Sequence, residues 1–99
     1  MTSNEKIQLW HTGNKYPIGY GCPDYGNSDA AAVTLLNVLV EKGYTAQLGC
    51  TGDDRWCCIG KYNDGPDSRL VEKHRSTIAS AVTSAILALI ESEASNERV

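Results

Sequence analysis

The chain predicts an α+β fold, an antiparallel β-meander of three to four strands flanked by two main α-helices. Three observations carry that prediction. An Ala-rich segment after Ser28 has apolar residues at helical spacing. Two alternating segments, 44–50 and 56–62, are separated by a polar turn. A second small-residue segment after Ser76 is again apolar at helical spacing.

The elements follow in order. Residues 1–27 read as an irregular N-terminal segment. Ile7, Leu9 and Trp10 suggest at most one short strand, and Gly13, Pro17, Gly19, Gly21, Pro23 and Gly26 interrupt the chain too often for a long element. Tyr16, Tyr20 and Tyr25 are expected to pin this loop on the core; the sharper alternative is that some line a ligand pocket.

The first predicted helix runs from Asp29 to about Lys42. Ser28 or Asn27 caps it, and Asp29 complements its positive end. Ala31, Leu35, Val38 and Leu39 form its core stripe, widened by Ala32, Leu36 and Val40, and Lys42-Gly43 stops it.

In the first strand Ala46, Leu48 and Cys50 share a face. After the turn Thr51–Arg55, the return strand puts Trp56, Cys58 and Tyr62 on one face and Cys57, Ile59 and Lys61 on the other. Trp56 is read as a core residue between sheet and helix. Asn63–Asp67 is a turn, and a short third strand covers Arg69 to Lys73. The second helix spans Thr77 to about Glu93, capped by Ser76, with Ile78, Val82, Ala85, Ile86, Leu89 and Ile90 inward. A frayed tail, 94–99, closes a single domain of 99 residues.

Composition narrows the function classes. Hydrophobic residues make up 41% of the chain and charged ones 21%, the balance of a folded protein. A net charge of −3 argues against duplex nucleic acid, which needs a basic face. No apolar run approaches the ~20 residues of a membrane span. Met1–Lys6 lacks a signal-peptide pattern, so the reading is cytoplasmic with Cys22, Cys50, Cys57 and Cys58 reduced. A chain this short has a modest core, and association with other copies would help it.

No catalytic signature is present. A Cys–His74 pair is conceivable, but buried free thiols are commonly structural. A zinc set from the cysteines with His11 lacks the Cys-x-x-Cys spacing. Asp53-Asp54 and Asp64/Asp67 are better explained as turn residues. No metal and no cofactor are expected. The constellation that suggests chemistry is Arg75-Ser76-Thr77 at the start of the second helix, with His74 and Arg69 on the strand leading in, Arg55 beside Trp56, and Lys61 and Tyr62 on the same hairpin. Guanidinium groups, hydroxyls and helix N–H groups suit a phosphate, and an aromatic face suits a base. Capping by Ser76 and solvation of surface arginines explain each residue singly.

Pro23, Tyr25, Ser28 or Asn27, and Asp29-Ala30-Ala31-Ala32, then Trp56-Cys57, then Ser76-Thr77 and the Ala-containing helix, resemble the phage ABA sandwich family across residues 22–92. The chain departs from that pattern at Ala30, where a larger apolar residue is usual, and before Cys22, where the family's N-terminal helix is not matched. The resemblance implies a layered α/β fold and a phage gene acting in the cytoplasm of an infected bacterium. More distantly, the chain is similar to phage anti-Thoeris and anti-CBASS nucleotide sponge proteins in size, class and the arginine–aromatic–helix constellation. That likeness implies a homo-oligomer that sequesters a cyclic nucleotide or cyclic ADP-ribose-type signal without catalysis. It matches no ligand residue by position; the expected ligand residues, Arg55, Trp56, Tyr62, Arg69, Arg75, Ser76 and Thr77, come from the constellation above. The alternative is a phage protein that inhibits a host protein through its helices, with no small ligand.

Overall fold

Packing of two helices on one face of a small antiparallel sheet organises the molecule. The computed structural model describes residues 2–13, 24–65 and 68–97. Over these, the order is α1 (Ser3–Thr12), α2 (Asp29–Glu41), β1 (Tyr44–Thr51), β2 (Asp54–Lys61), a 3-10 turn (Tyr62–Asp64), β3 (Val71–Arg75) and α3 (Ile78–Glu97). The sheet order is β1-β2-β3, antiparallel throughout, so the fold is α+β as the sequence predicts. Tyr16, Tyr20, Cys22 and Pro23 lie outside the described residues.

The N-terminal reading is corrected. Ile7, Leu9 and Trp10 belong to a helix rather than a strand. Its ends are made by caps. Thr2 accepts from the Glu5 amide while the Glu5 carboxylate accepts from the Thr2 amide, and Gly13 closes the helix at φ 79°. Only Ile7 and Gln8 are buried on it, so there is no apolar stripe to announce it. Tyr25, also buried, donates its hydroxyl to Gln8 Oε1 and ties the loop before α2 to α1.

Helix α2 starts as expected, with Ser28 Oγ accepting from the Ala31 amide at 3.2 Å. Gly43 follows it at φ 93°, a left-handed conformation that glycine adopts without a Cβ penalty. Two details of α3 differ from expectation. Thr77, not Ser76, caps it: Thr77 Oγ1 accepts from the Ser80 amide at 3.1 Å. The helix also continues to Glu97 through the predicted tail. β3 sits two residues later than the predicted third strand.

α2 covers β1, and α3 covers β2 and β3; α1 packs against α3. The core between these layers holds Leu35, Leu39, Cys57, Ile59, Val82, Ile86 and Leu89, with Ile7 reaching in from α1. Leu89 is 2% exposed and each of the others is fully buried. Strand alternation then fixes the faces. Cys57, Ile59 and Val71 point to the helices, so Trp56, Cys58, Glu72 and His74 point to the opposite face. Trp56 is therefore not between sheet and helix. It is half-buried over its cross-strand partner Gly49, where an added Cβ would stand 2.0 Å from the indole. Gly60 permits a second close approach on that face, since a Cβ there would meet the Ser68 carbonyl oxygen at 2.1 Å.

Candidate functional site

Register brings distant residues of the sequence constellation together. Arg55 and Arg75 are Cα partners across β2 and β3. Alternation places both on the helix-covered side of the sheet, at its end, with Lys73 two residues back on the same face. Ser76 and Thr77 follow directly and lead into α3. None of these three cations has a carboxylate ion pair among the described residues. Each arginine instead uses its Nη1 on main-chain carbonyls. Arg55 donates to Gly52 at 3.0 Å and to Asp54 at 3.3 Å, and Arg75 donates to His74 at 2.7 Å. Those bonds orient the guanidinium groups without neutralising them. Like charges directly opposite in a sheet are unfavourable. A bound anion would relieve that repulsion.

The helix N-terminus beside them is partly occupied. Asp29, at the start of α2, accepts from the Ala79 amide in the first turn of α3 at 2.9 Å. The sequence assigns Asp29 to its own helix end; the structure also commits it to α3. An anion already sits where the positive end of α3 is strongest.

The remaining predicted residues lie elsewhere. Trp56 is on the opposite face of the sheet from Arg55 and Arg75. Tyr62 is 73% exposed in the turn after β2. Arg69 precedes β3 and pairs with Glu72 at 3.2 Å. An extended strand rises about 3.3 Å per residue, so β3 alone spans about 13 Å and puts Arg69, before its start, at the opposite end from Arg75. The structure thus groups Arg55, Arg75, Ser76 and Thr77, and separates Trp56, Tyr62 and Arg69 from them.

A side-chain cluster that the sequence reading missed occupies the open face. His74 Nδ1 lies 2.5 Å from Asp54 Oδ2, and His74 Nε2 lies 3.1 Å from Glu72 Oε2. Both ring nitrogens can donate only in the imidazolium form. The hydrogen bond to Asp54, then that to Glu72, raises the His74 pKa above its ordinary value. Glu72 and His74 alternate on β3, a local signal for one face; Asp54 joins them only through the hairpin register. With both nitrogens against carboxylates, His74 presents neither to a thiol. The Cys57 thiol, buried beside Cys58, is pushed up to about 12, mainly by burial. Among the described residues, no three His, Cys, Asp or Glu side chains are gathered as a metal set.

A second basic region lies at the other end of the sheet. A cleft of about 400 Å³ opens between the end of α2 and the end of β2, lined by Lys42, Gly43, Tyr44, Lys61, Asn63 and Asp64. Lys42 Nζ stands 5.0 Å from the centroid of the Trp10 ring. Tyr44 donates its hydroxyl to Glu93 Oε1; burial, reinforced by that carboxylate, raises its pKa to about 12.

The scans find no protein-family model, no curated protein and no solved structure that matches this chain.

Proposed function

We propose that this protein is a non-catalytic binding protein that captures a small phosphorylated ligand of nucleotide type at the Arg55–Arg75 end of the sheet. The carrying observation is the cross-strand arginine pair without a carboxylate partner among the described residues, beside the first turn of α3. Paired guanidinium groups suit the bidentate geometry of phosphate, and Ser76 and Thr77 add hydroxyls nearby. A guanidinium plane can also stack on a base, so the ligand's flat portion does not require Trp56 or Tyr62. The reading contains no chemical step: capture alone lowers the free ligand. The likeness in size and class to phage nucleotide sponge proteins supports taking that capture as sequestration of a cyclic nucleotide or cyclic ADP-ribose-type immune signal, and the resemblance to phage ABA sandwich proteins supports a phage accessory protein.

Thermal unfolding with a panel of cyclic nucleotides and cyclic ADP-ribose isomers tests this. A ligand that binds the native state raises the melting temperature, by about 2.7 kcal/mol of stability at a hundred times its Kd. The wild type should shift with at least one ligand, and Arg55→Gln/Arg75→Gln should not. No shift with any ligand at high concentration overturns the proposal.

A further inference from the structure

The two edges of the sheet are protected very differently. β3 is five residues long, and Glu72, Lys73, His74 and Arg75 fill all its positions but the first. Short, charged edges resist pairing with another chain. β1 is eight residues long, Tyr-Thr-Ala-Gln-Leu-Gly-Cys-Thr, with no charge and no proline. Its register with β2 runs unbroken from Tyr44↔Lys61 to Thr51↔Asp54, so no bulge twists the edge away. Among the described residues, no main-chain hydrogen bond from outside the sheet reaches residues 45–51.

The helix over β1 shows a matching feature. α2 leaves Val33 43% and Val40 63% exposed, one heptad apart, with half-buried Leu36 between them. Positions i, i+3 and i+7 share one helix face.

We propose that β1 is the association edge of this protein, pairing antiparallel with β1 of a second copy across a two-fold axis into one continuous six-stranded sheet. A second copy fits because the edge is uncharged, so it meets itself without like-charge repulsion. A two-fold axis normal to the sheet keeps both α2 helices on one side and brings them next to each other over the join. Strand pairing supplies main-chain bonds and register. The Val33–Leu36–Val40 stripe supplies the apolar contact between α2 and its mate. Side-chain alternation allows two central registers, Gln47 opposite Gln47 or Leu48 opposite Leu48; in both, the two Gln47 side chains are neighbours on the open face. The inference is independent of the anion reading, since neither Arg55 nor Arg75 belongs to β1.

Sedimentation equilibrium on the full chain, with ligand absent, tests it on three proteins: wild type, Gln47→Lys and Val33→Glu/Val40→Glu. The wild type should be a dimer. Gln47→Lys sets two lysines side by side across the join and should weaken dimerisation about tenfold or more, with an unchanged far-UV circular dichroism spectrum. The valine variant alters exposed positions only and should weaken it as well, and it decides the matter if Gln47→Lys does not fold. A monomeric wild type at every concentration overturns the proposal. So does a dimer whose dissociation constant ignores both variants.

Discussion

The two ends of the sheet each gather basic side chains, yet they are not equivalent. At the α3 end, Arg55, Lys73 and Arg75 stand on one face beside a helix N-terminus. At the α2 end, Lys42 and Lys61 line a cleft beside a helix C-terminus, with Asp64 among them. The cleft is concave, but its polarity is wrong for an anion. The last carbonyls of α2 carry partial negative charge, which Lys42 offsets, and Asp64 offsets Lys61. The arginine end has the right sign. Asp29 nearby is already spent on the Ala79 amide, and Asp54 on His74. For the proposed phosphate site, the direction of the adjoining helix therefore weighs more than concavity.

Charge reversal breaks this comparison most strongly. Arg55→Glu/Arg75→Glu should lower affinity for the phosphorylated ligand about a hundredfold or more, because hydrogen bonds to charged groups contribute about 1.5–3 kcal/mol each. Lys42→Glu/Lys61→Glu should change it less than about threefold. Isothermal titration of both variants beside the wild type reads this contrast.

Gly60→Ala should separate stability from binding. Its Cβ would crowd the Ser68 carbonyl, so the strand must shift, at about 1–3 kcal/mol. Gly60 adjoins the cleft end, so protein that remains folded should bind the ligand as before. Denaturant unfolding and titration together check both halves.

Asp29→Ala sharpens the account of α3. Losing the carboxylate on Ala79 should destabilise the fold by about 1 kcal/mol, the usual effect of removing a helix cap. It should also strengthen phosphate binding severalfold, because a competing anion is gone. Unchanged affinity with lowered stability would mean that the ligand does not feel the α3 terminus.

The smallest effect belongs to His74. Its folded-state pKa is raised above the unfolded value, so its contribution is fully present below the unfolded pKa. That contribution fades as pH rises through the folded pKa. The melting temperature should decline modestly from mildly acidic to mildly alkaline pH, and His74→Gln should flatten that decline. Asp54 and Glu72 face the ring, and Arg75 lies beside it in sequence on the other face. Ligand affinity should be the same for His74→Gln and wild type.

The legible parts of the fold are those whose signals are local. α2 shows its stripe, its Ser28 cap and its Gly43 stop, and β1 and β2 show alternation around a polar turn. α1 escapes a periodicity reading because caps define it and only Ile7 and Gln8 are buried on it. The Thr2-x-x-Glu5 spacing and the Gly13 stop are its sequence signals. Trp56 shows a different limit. Alternation divides β2 into two faces but does not say which one is inside. Cys57 and Ile59 on β2, with Val71 opposite, settle that against the larger Trp56. The site is half legible for a similar reason. Arg75-Ser76-Thr77 are adjacent in sequence, whereas the Arg55–Arg75 pairing and the Asp29–Ala79 bond depend on register and helix packing. Neither can be read from any one segment.

Amide and arginine-Nε NMR spectra, recorded while titrating a cyclic nucleotide or cyclic ADP-ribose isomer, test the central claim most directly. The account predicts saturable shifts at Arg55, Arg75, Ser76 and Thr77, with Gly43, Tyr44, Lys61 and Asn63 unmoved. Shifts confined to the Lys42–Lys61 cleft, or none with any member of the panel, would contradict it.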